Sequence, residues 1–127
     1  MSNIPDTLRY AKSHEWLRLE IDGTAVIGIS DYAQNSLGDI TYVQLPSVGE
    51  DLSSGGPLGV IESVKAASDL YAPVNGTVIE INADLDATPE KVNQEPYDGG
   101  WLVKIKLSDP NEAEALLDAA AYDQEIS

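Results

Sequence analysis

The segment Gly59-Val60-Ile61-Glu62-Ser63-Val64-Lys65-Ala66-Ala67-Ser68-Asp69-Leu70-Tyr71-Ala72-Pro73-Val74 organises the reading of this chain. Positions 58 to 64 and 70 to 81 are rich in β-branched residues. Leu58, Val60 and Val64 alternate with Gly59, Ser63 and Lys65, the period of a half-buried strand, so the segment is expected to be a β-hairpin. Lys65 then stands at or beside its tip. The tip lacks an Asn-Gly or Asp-Gly pair, so one helical turn over Glu62 to Ala67 remains an alternative at this point. Only five lysines occur in the chain, and this one lies among small and apolar neighbours, with Glu62 and Asp69 nearby.

Three readings of such a lysine can be weighed. A Schiff-base nucleophile must be partly neutral near pH 7, which burial or a neighbouring cation would bring about and flanking carboxylates oppose. A solvated surface lysine is the common fate of the side chain. A lysine displayed on a rigid loop can also be acylated by another enzyme, which turns its stem into a long arm.

Working outward, composition narrows the class. The 127 residues suffice for one domain spanning 1–127 with its own core. Without cysteine there is no disulfide framework, thiolate metal site or cysteine nucleophile. Seven basic against 22 acidic residues give a net charge of −15, which argues against nucleic acid or anionic membrane and for partners with basic docking surfaces. A hydrophobic fraction of 43% places that acidity on a folded domain. Met1 to Asp6 contains neither a signal-type apolar core nor an arginine-rich presequence, and no apolar run reaches membrane-spanning length; a cytoplasmic protein is expected.

In chain order, Leu8 to Tyr10 reads as a short edge segment. Trp16 to Ile21 reads as a strand with Leu17, Leu19 and Ile21 on one face. Asp22-Gly23 makes a two-residue turn into a partner strand, Thr24 to Ile29. Ser30 or Asp31 caps a helix through Leu37 that Gly38 closes, and Ile40 to Leu45 is a strand stopped by Pro46. Gly23 to Ile29 is echoed by Gly76 to Ile81, which suggests two similar β-halves packed face to face. Asn82 to Gly100 is polar and irregular, with one helical turn at Pro89 to Val92. Trp101 to Leu107 is the last strand, its Leu102, Lys104 and Lys106 opposite the Val103, Ile105 and Leu107 face. Ser108 or Asp109 before Pro110 begins a helix to about Leu117, and a second helical piece runs through Tyr122.

Glu62 to Asp69, followed by Tyr71-Ala72-Pro73-Val74-Asn75-Gly76, closely resembles the lipoylation motif of the glycine cleavage H proteins. Biotin carriers flank their lysine with methionines, and 2-oxo acid dehydrogenase lipoyl domains place an acidic residue directly before it; Val64 and Ala66 flank it here. The resemblance extends through Ser13-His14-Glu15-Trp16, Gly28 to Gln34, Leu37-Gly38-Asp39-Ile40, Val43 to Pro46, Val92-Asn93, Pro96-Tyr97, Gly100-Trp101-Leu102 and Leu116 to Tyr122. Tyr42 stands where a phenylalanine is common, the one visible departure. What the resemblance implies is a mostly β fold: a two-halved β-sandwich or barrel-sandwich hybrid of lipoyl-domain type with short helices and a C-terminal helical segment. It also implies lipoate bound covalently to Lys65, with Glu62, Ser63, Val64, Ala66 and Asp69 forming the hairpin that a lipoate ligase or lipoyl transferase recognises. Ser13, His14 and Glu15 would border the cleft where the arm rests, Glu15 beside the amine of its cargo.

The implied role is that of a monomeric, non-catalytic carrier. It takes the aminomethyl group of glycine from glycine decarboxylase to an aminomethyltransferase, and passes electrons to dihydrolipoamide dehydrogenase. An H-like relay or scaffold that hands lipoate to other complexes, without glycine cleavage, is the alternative. Other chemistry is weaker. Adjacent residues on a strand point to opposite faces, so Ser13, His14 and Glu15 are not expected to converge on one atom as a hydrolytic triad. Asp84, Asp86 and Glu90 lack the spacing and glycine of a calcium loop. Asn75-Gly76-Thr77 reads as a turn, and Trp16 and Trp101 as core or cleft-wall residues.

Overall fold

A computed structural model describes residues 4–126. Met1 to Asn3, on which the expected lack of a targeting segment partly rests, lie outside the described residues, as does Ser127. The strands are β1 (Arg9–Tyr10), β2 (Glu15–Leu19), β3 (Thr24–Ile29), β4 (Ile40–Gln44), β5 (Asp51–Leu52), β6 (Pro57–Ser63), β7 (Ala67–Tyr71), β8 (Gly76–Ile81) and β9 (Val103–Leu107). The helices are α1 (Asp31–Leu37), α2 (Asp84–Ala87), α3 (Lys91–Gln94) and α4 (Ala119–Ile126), with a 3-10 helix at Pro110–Ala115.

Two antiparallel sheets result, one in the order β1-β2-β3-β9-β8-β5 and one in the order β4-β6-β7. Both remain open, so the sandwich half of the expected hybrid is what forms. Leu17, Ile27, Ile29, Val103 and Ile105 of the larger sheet share one core with Ile40, Val43, Leu58, Ile61 and Leu70 of the smaller. Burying an aliphatic side chain of this size stabilises by about 1.5–3 kcal/mol, so this shared layer holds the sheets together.

Several local expectations hold. Asp22-Gly23 turns β2 into β3, with Gly23 at φ 83°. Ser30 caps α1 by accepting from Ala33 N, and Gly38 closes it at φ 79°. The segment around Lys65 is a hairpin, not a helical turn. Its alternation is interrupted by a register shift between Pro57 and Gly59, so Leu58 and Ile61, of opposite parity, both reach the core. Val64, read as inward, is exposed beyond the end of β6.

Other expectations fail for physical reasons. Leu19 and Ile21 are exposed, whereas Trp16, on the opposite face of β2, is fully buried. That outer face carries its own cluster of Leu8, Tyr10, Trp16, Val26 and Tyr122, so this end of the large sheet is covered on both sides. Leu102, read as polar-side, is likewise buried. The echoed strands β3 and β8 do not lie in separate halves. They flank β9 in one sheet, where Ala25 and Val78 both oppose Ile105. Asn82 to Gly100 carries two helical turns instead of one, tied down by buried Asn82, which donates to Gly99 O (2.9 Å) and Trp101 O (2.8 Å). The helix after Asp109 is 3-10 and ends at Ala115, because Leu117 exchanges two 2.8 Å backbone hydrogen bonds with Tyr10 and must be extended. α4 then continues past Tyr122 to Ile126.

In the small sheet, a Cβ added at Gly59 would overlap the backbone carbonyl oxygen of Gln44. Because the obstacle is backbone, Gly59→Ala is expected to cost about 1–3 kcal/mol, read as a lower midpoint in urea denaturation; an unchanged midpoint would show that β4 and β6 can separate freely.

Candidate functional site

The hairpin tip is held from within and from below. Ser63 N donates to Ala66 O (2.8 Å), while the Ser63 hydroxyl accepts from Lys65 N (3.2 Å) and Ala66 N (3.3 Å) and lies 3.2 Å from Ala66 O. Val64 N donates to Asp39 O (3.0 Å), which ties the tip to the segment after α1. Lys65 is exposed, and its stem lies over Gly38, whose added Cβ would sit 3.4 Å from Lys65 Cε. It makes no ion pair among the described residues. Glu62 and Asp69 are exposed along the hairpin, and Ala66 sits in the turn itself.

The turn under Lys65 depends on a residue to which sequence reading gave no role. Asn93 of α3 donates to Gly38 O (2.8 Å) and Gln34 Oε1 (3.0 Å) and accepts from Ile40 N (2.9 Å). One amide thus fixes the end of α1 and the start of β4. An asparagine in a polar stretch gives no local signal for this, because all its partners are distant in sequence.

Beside the hairpin root lies a cleft of about 350 Å³ between the start of β2, α1 and β7, bordered by Ser13, His14, Glu15, Tyr32, Leu37 and Asp69 among others. Ser13, His14 and Glu15 all border it, although strand alternation would put His14 on the face opposite the other two. Ser13 and His14 precede β2 and His14 adopts φ 80°, so strand alternation does not apply to it, and the Ser13 hydroxyl donates to the Glu15 carboxyl. The Nδ1 atom of His14 lies 2.8 Å from the hydroxyl of Tyr122, a residue far from this pair in sequence.

Glu15 is only 1% exposed, so it is not a solvated strand carboxylate. Its second oxygen accepts from Tyr71 N (3.2 Å), bridging β2 of one sheet to β7 of the other. Burial pushes its pKa up to about 7, against the opposing pull of the Ser13 and Tyr71 hydrogen bonds. Burial also lowers the His14 pKa, with Glu125 opposing. Of the tryptophans, Trp16 is in the outer cluster, donating to Pro96 O (2.9 Å), and Trp101 packs half-buried against it. Asp84, Asp86 and Glu90 join no group of three or more side chains able to hold a metal among the described residues. No helix there is long and apolar enough to cross a membrane.

A lysine raised on a clamped hairpin, beside a cleft with a buried carboxyl at its wall, defines a carrier-type domain. The family described as glycine cleavage H-protein matches residues 8–127. The chain is 66% identical to the glycine cleavage system H protein of Opitutus terrae, over 96% of each chain. It is 55% identical to that of Laribacter hongkongensis over 99% of each. A crystal structure of the glycine cleavage system H protein from Mycobacterium marinum superposes with a TM-score of 0.90 at 35% identity, covering 97% of this chain and 98% of the other. The chain belongs to the glycine cleavage H-protein family.

The raised Glu15 pKa has a definite sign in stability. The folded state holds this proton more tightly than the unfolded chain, so the contribution is most favourable below the ordinary carboxyl range and is lost as pH rises toward 7. Relative to Glu15→Gln, the wild type should therefore lose up to about 3 kcal/mol between pH 4.5 and 7 and then level off. Denaturation of both proteins across that range checks this; parallel curves would contradict a buried, protonated carboxyl.

Proposed function

We propose that the chain is the lipoyl carrier of glycine cleavage, with lipoate in amide linkage on Lys65. The observation that carries the reading is the placement of Lys65: exposed, unpaired with any carboxylate among the described residues, on a turn clamped by Ser63 and beside the cleft. An amine so held is open to acylation, and acylation removes its charge, so the arm can rest against apolar surface. Bound there, lipoate would supply a disulfide able to take up a one-carbon amine fragment together with two electrons and, once that fragment has been handed on, a dithiol whose two electrons and two protons are passed on in turn.

What the protein adds is placement. The rigid hairpin restricts where the arm can go, which lowers the entropic cost of delivering it to one partner after another. Glu62, Ser63, Val64, Ala66 and Asp69 offer the modifying enzyme, a lipoate ligase or lipoyl transferase, a preformed hairpin surface. At the cleft wall, Ser13 and Tyr71 N orient the Glu15 carboxyl, and His14 borders it. An ammonium-bearing cargo brought there would favour the ionised form of Glu15, and the pair would be shielded from water. No step here needs a nucleophile or base of the chain itself, so in this reading it is not an enzyme.

The partners are glycine decarboxylase, the aminomethyltransferase and dihydrolipoamide dehydrogenase. They are met by one 1–127 domain acting as a monomer in the cytoplasm, and the net charge of −15 favours docking surfaces that are basic. Incubation with lipoate, ATP and a lipoate ligase should add one lipoyl mass to a peptide containing Lys65 and none to Lys65→Arg. Modification at another lysine, or none, would end this reading. Glu15→Ala should accept lipoate as the parent does yet lose its one-carbon amine cargo to water several-fold faster, measured as formaldehyde release; equal lifetimes would remove Glu15 from the role.

A further inference from the structure

Behind the cleft, three side chains from distant parts of the chain meet at one hydroxyl. Tyr122 of α4 is fully buried, stacked on Tyr10 with ring centroids 4.6 Å apart and planes within 6°. Its hydroxyl lies 2.7 Å from Ser30 Oγ and 2.8 Å from His14 Nδ1. Ser30 is itself fully buried and already accepts from Ala33 N as the cap of α1. His14 and α1 border the cleft on two sides, so Tyr122 touches both walls from the rear.

The direction of the protons follows from counting donors and acceptors. If Tyr122 donated to Ser30, the serine oxygen would accept twice and its own buried proton would have no acceptor among the described residues. A buried donor without a partner costs about 1–3 kcal/mol. If Ser30 donates to Tyr122, the tyrosine proton is left for His14 Nδ1, and every group is satisfied.

We propose that Tyr122 is a positioning residue: its hydroxyl, supplied by Ser30, donates to His14 Nδ1 and fixes the imidazole as the neutral Nε2–H tautomer on the cleft wall. His14 then offers the cleft one uncharged donor. A cationic imidazole there would repel an amine-bearing cargo and compete with it for the Glu15 carboxylate; the Tyr122 hydrogen bond disfavours that cation by occupying Nδ1 as an acceptor. The tautomer stands independently of what the cleft holds, while its service to the cargo rests on the carrier reading above.

Because His14 is the sole histidine, its ring nitrogens can be read individually by nitrogen-15 NMR. The unmodified wild type should show a single protonated nitrogen at Nε2. Tyr122→Phe, which keeps the ring stacked on Tyr10, should return the tautomer ratio toward that of free histidine and raise the imidazole titration midpoint. A proton on Nδ1 in the wild type, or identical ratios and midpoints in the two proteins, would overturn the assignment. The wild-type spectrum alone tests the tautomer if the variant fails to fold. Repeating the measurement on lipoylated protein separates the two layers: His14 signals that shift on attachment of the arm support its service to the cleft. Signals that do not shift refute that service and leave the tautomer standing.

Discussion

The hydrogen bond from Tyr71 N to the Glu15 carboxyl is the constraint on which the rest of the site depends. Glu15 begins β2 in the six-stranded sheet, and Tyr71 ends β7 in the three-stranded one. Hydrophobic packing holds the two sheets against each other without direction, and this bond adds a directed link between β2 and the edge strand β7. A carboxyl buried for that purpose is destabilising in its charged form, which is why its pKa rises to about 7. The group that anchors the β7 edge is thereby also the group best prepared to receive a cation.

The same economy of parts recurs under Lys65. The tip of the hairpin needs no glycine pair, because Ser63 supplies the turn's hydrogen bonds from its side chain and Asp39 O anchors Val64 from the neighbouring segment. Asn93 in turn holds Gly38 and Ile40. The backbone of the tip is thus held on both sides, and the stem of the lysine side chain rests on the open face of Gly38.

Much of this was legible in the sequence because it was local. The β2–β3 turn at Asp22-Gly23, the caps Ser30 and Gly38, and the Lys65 hairpin each follow from residues a few positions apart. What escaped was set by distant partners. Trp16 is buried because α4 and Tyr97 cover the outer face of its sheet, so a one-sided alternation misassigned Leu19 and Ile21. The 3-10 helix stops because Leu117 pairs with Tyr10. That His14 shares a cleft with Ser13 and Glu15 goes with its left-handed backbone, a conformation that nothing in its immediate neighbours announces.

Distance along the chain also sets an order of assembly. The Lys65 turn is closed by bonds spanning three residues or fewer, whereas His14 waits for a tyrosine 108 positions later. Closing a short loop costs less entropy than bringing the two ends of a chain together, so the handle's own turn is the cheaper of the two to form, and the shelter beside it waits on the fold as a whole.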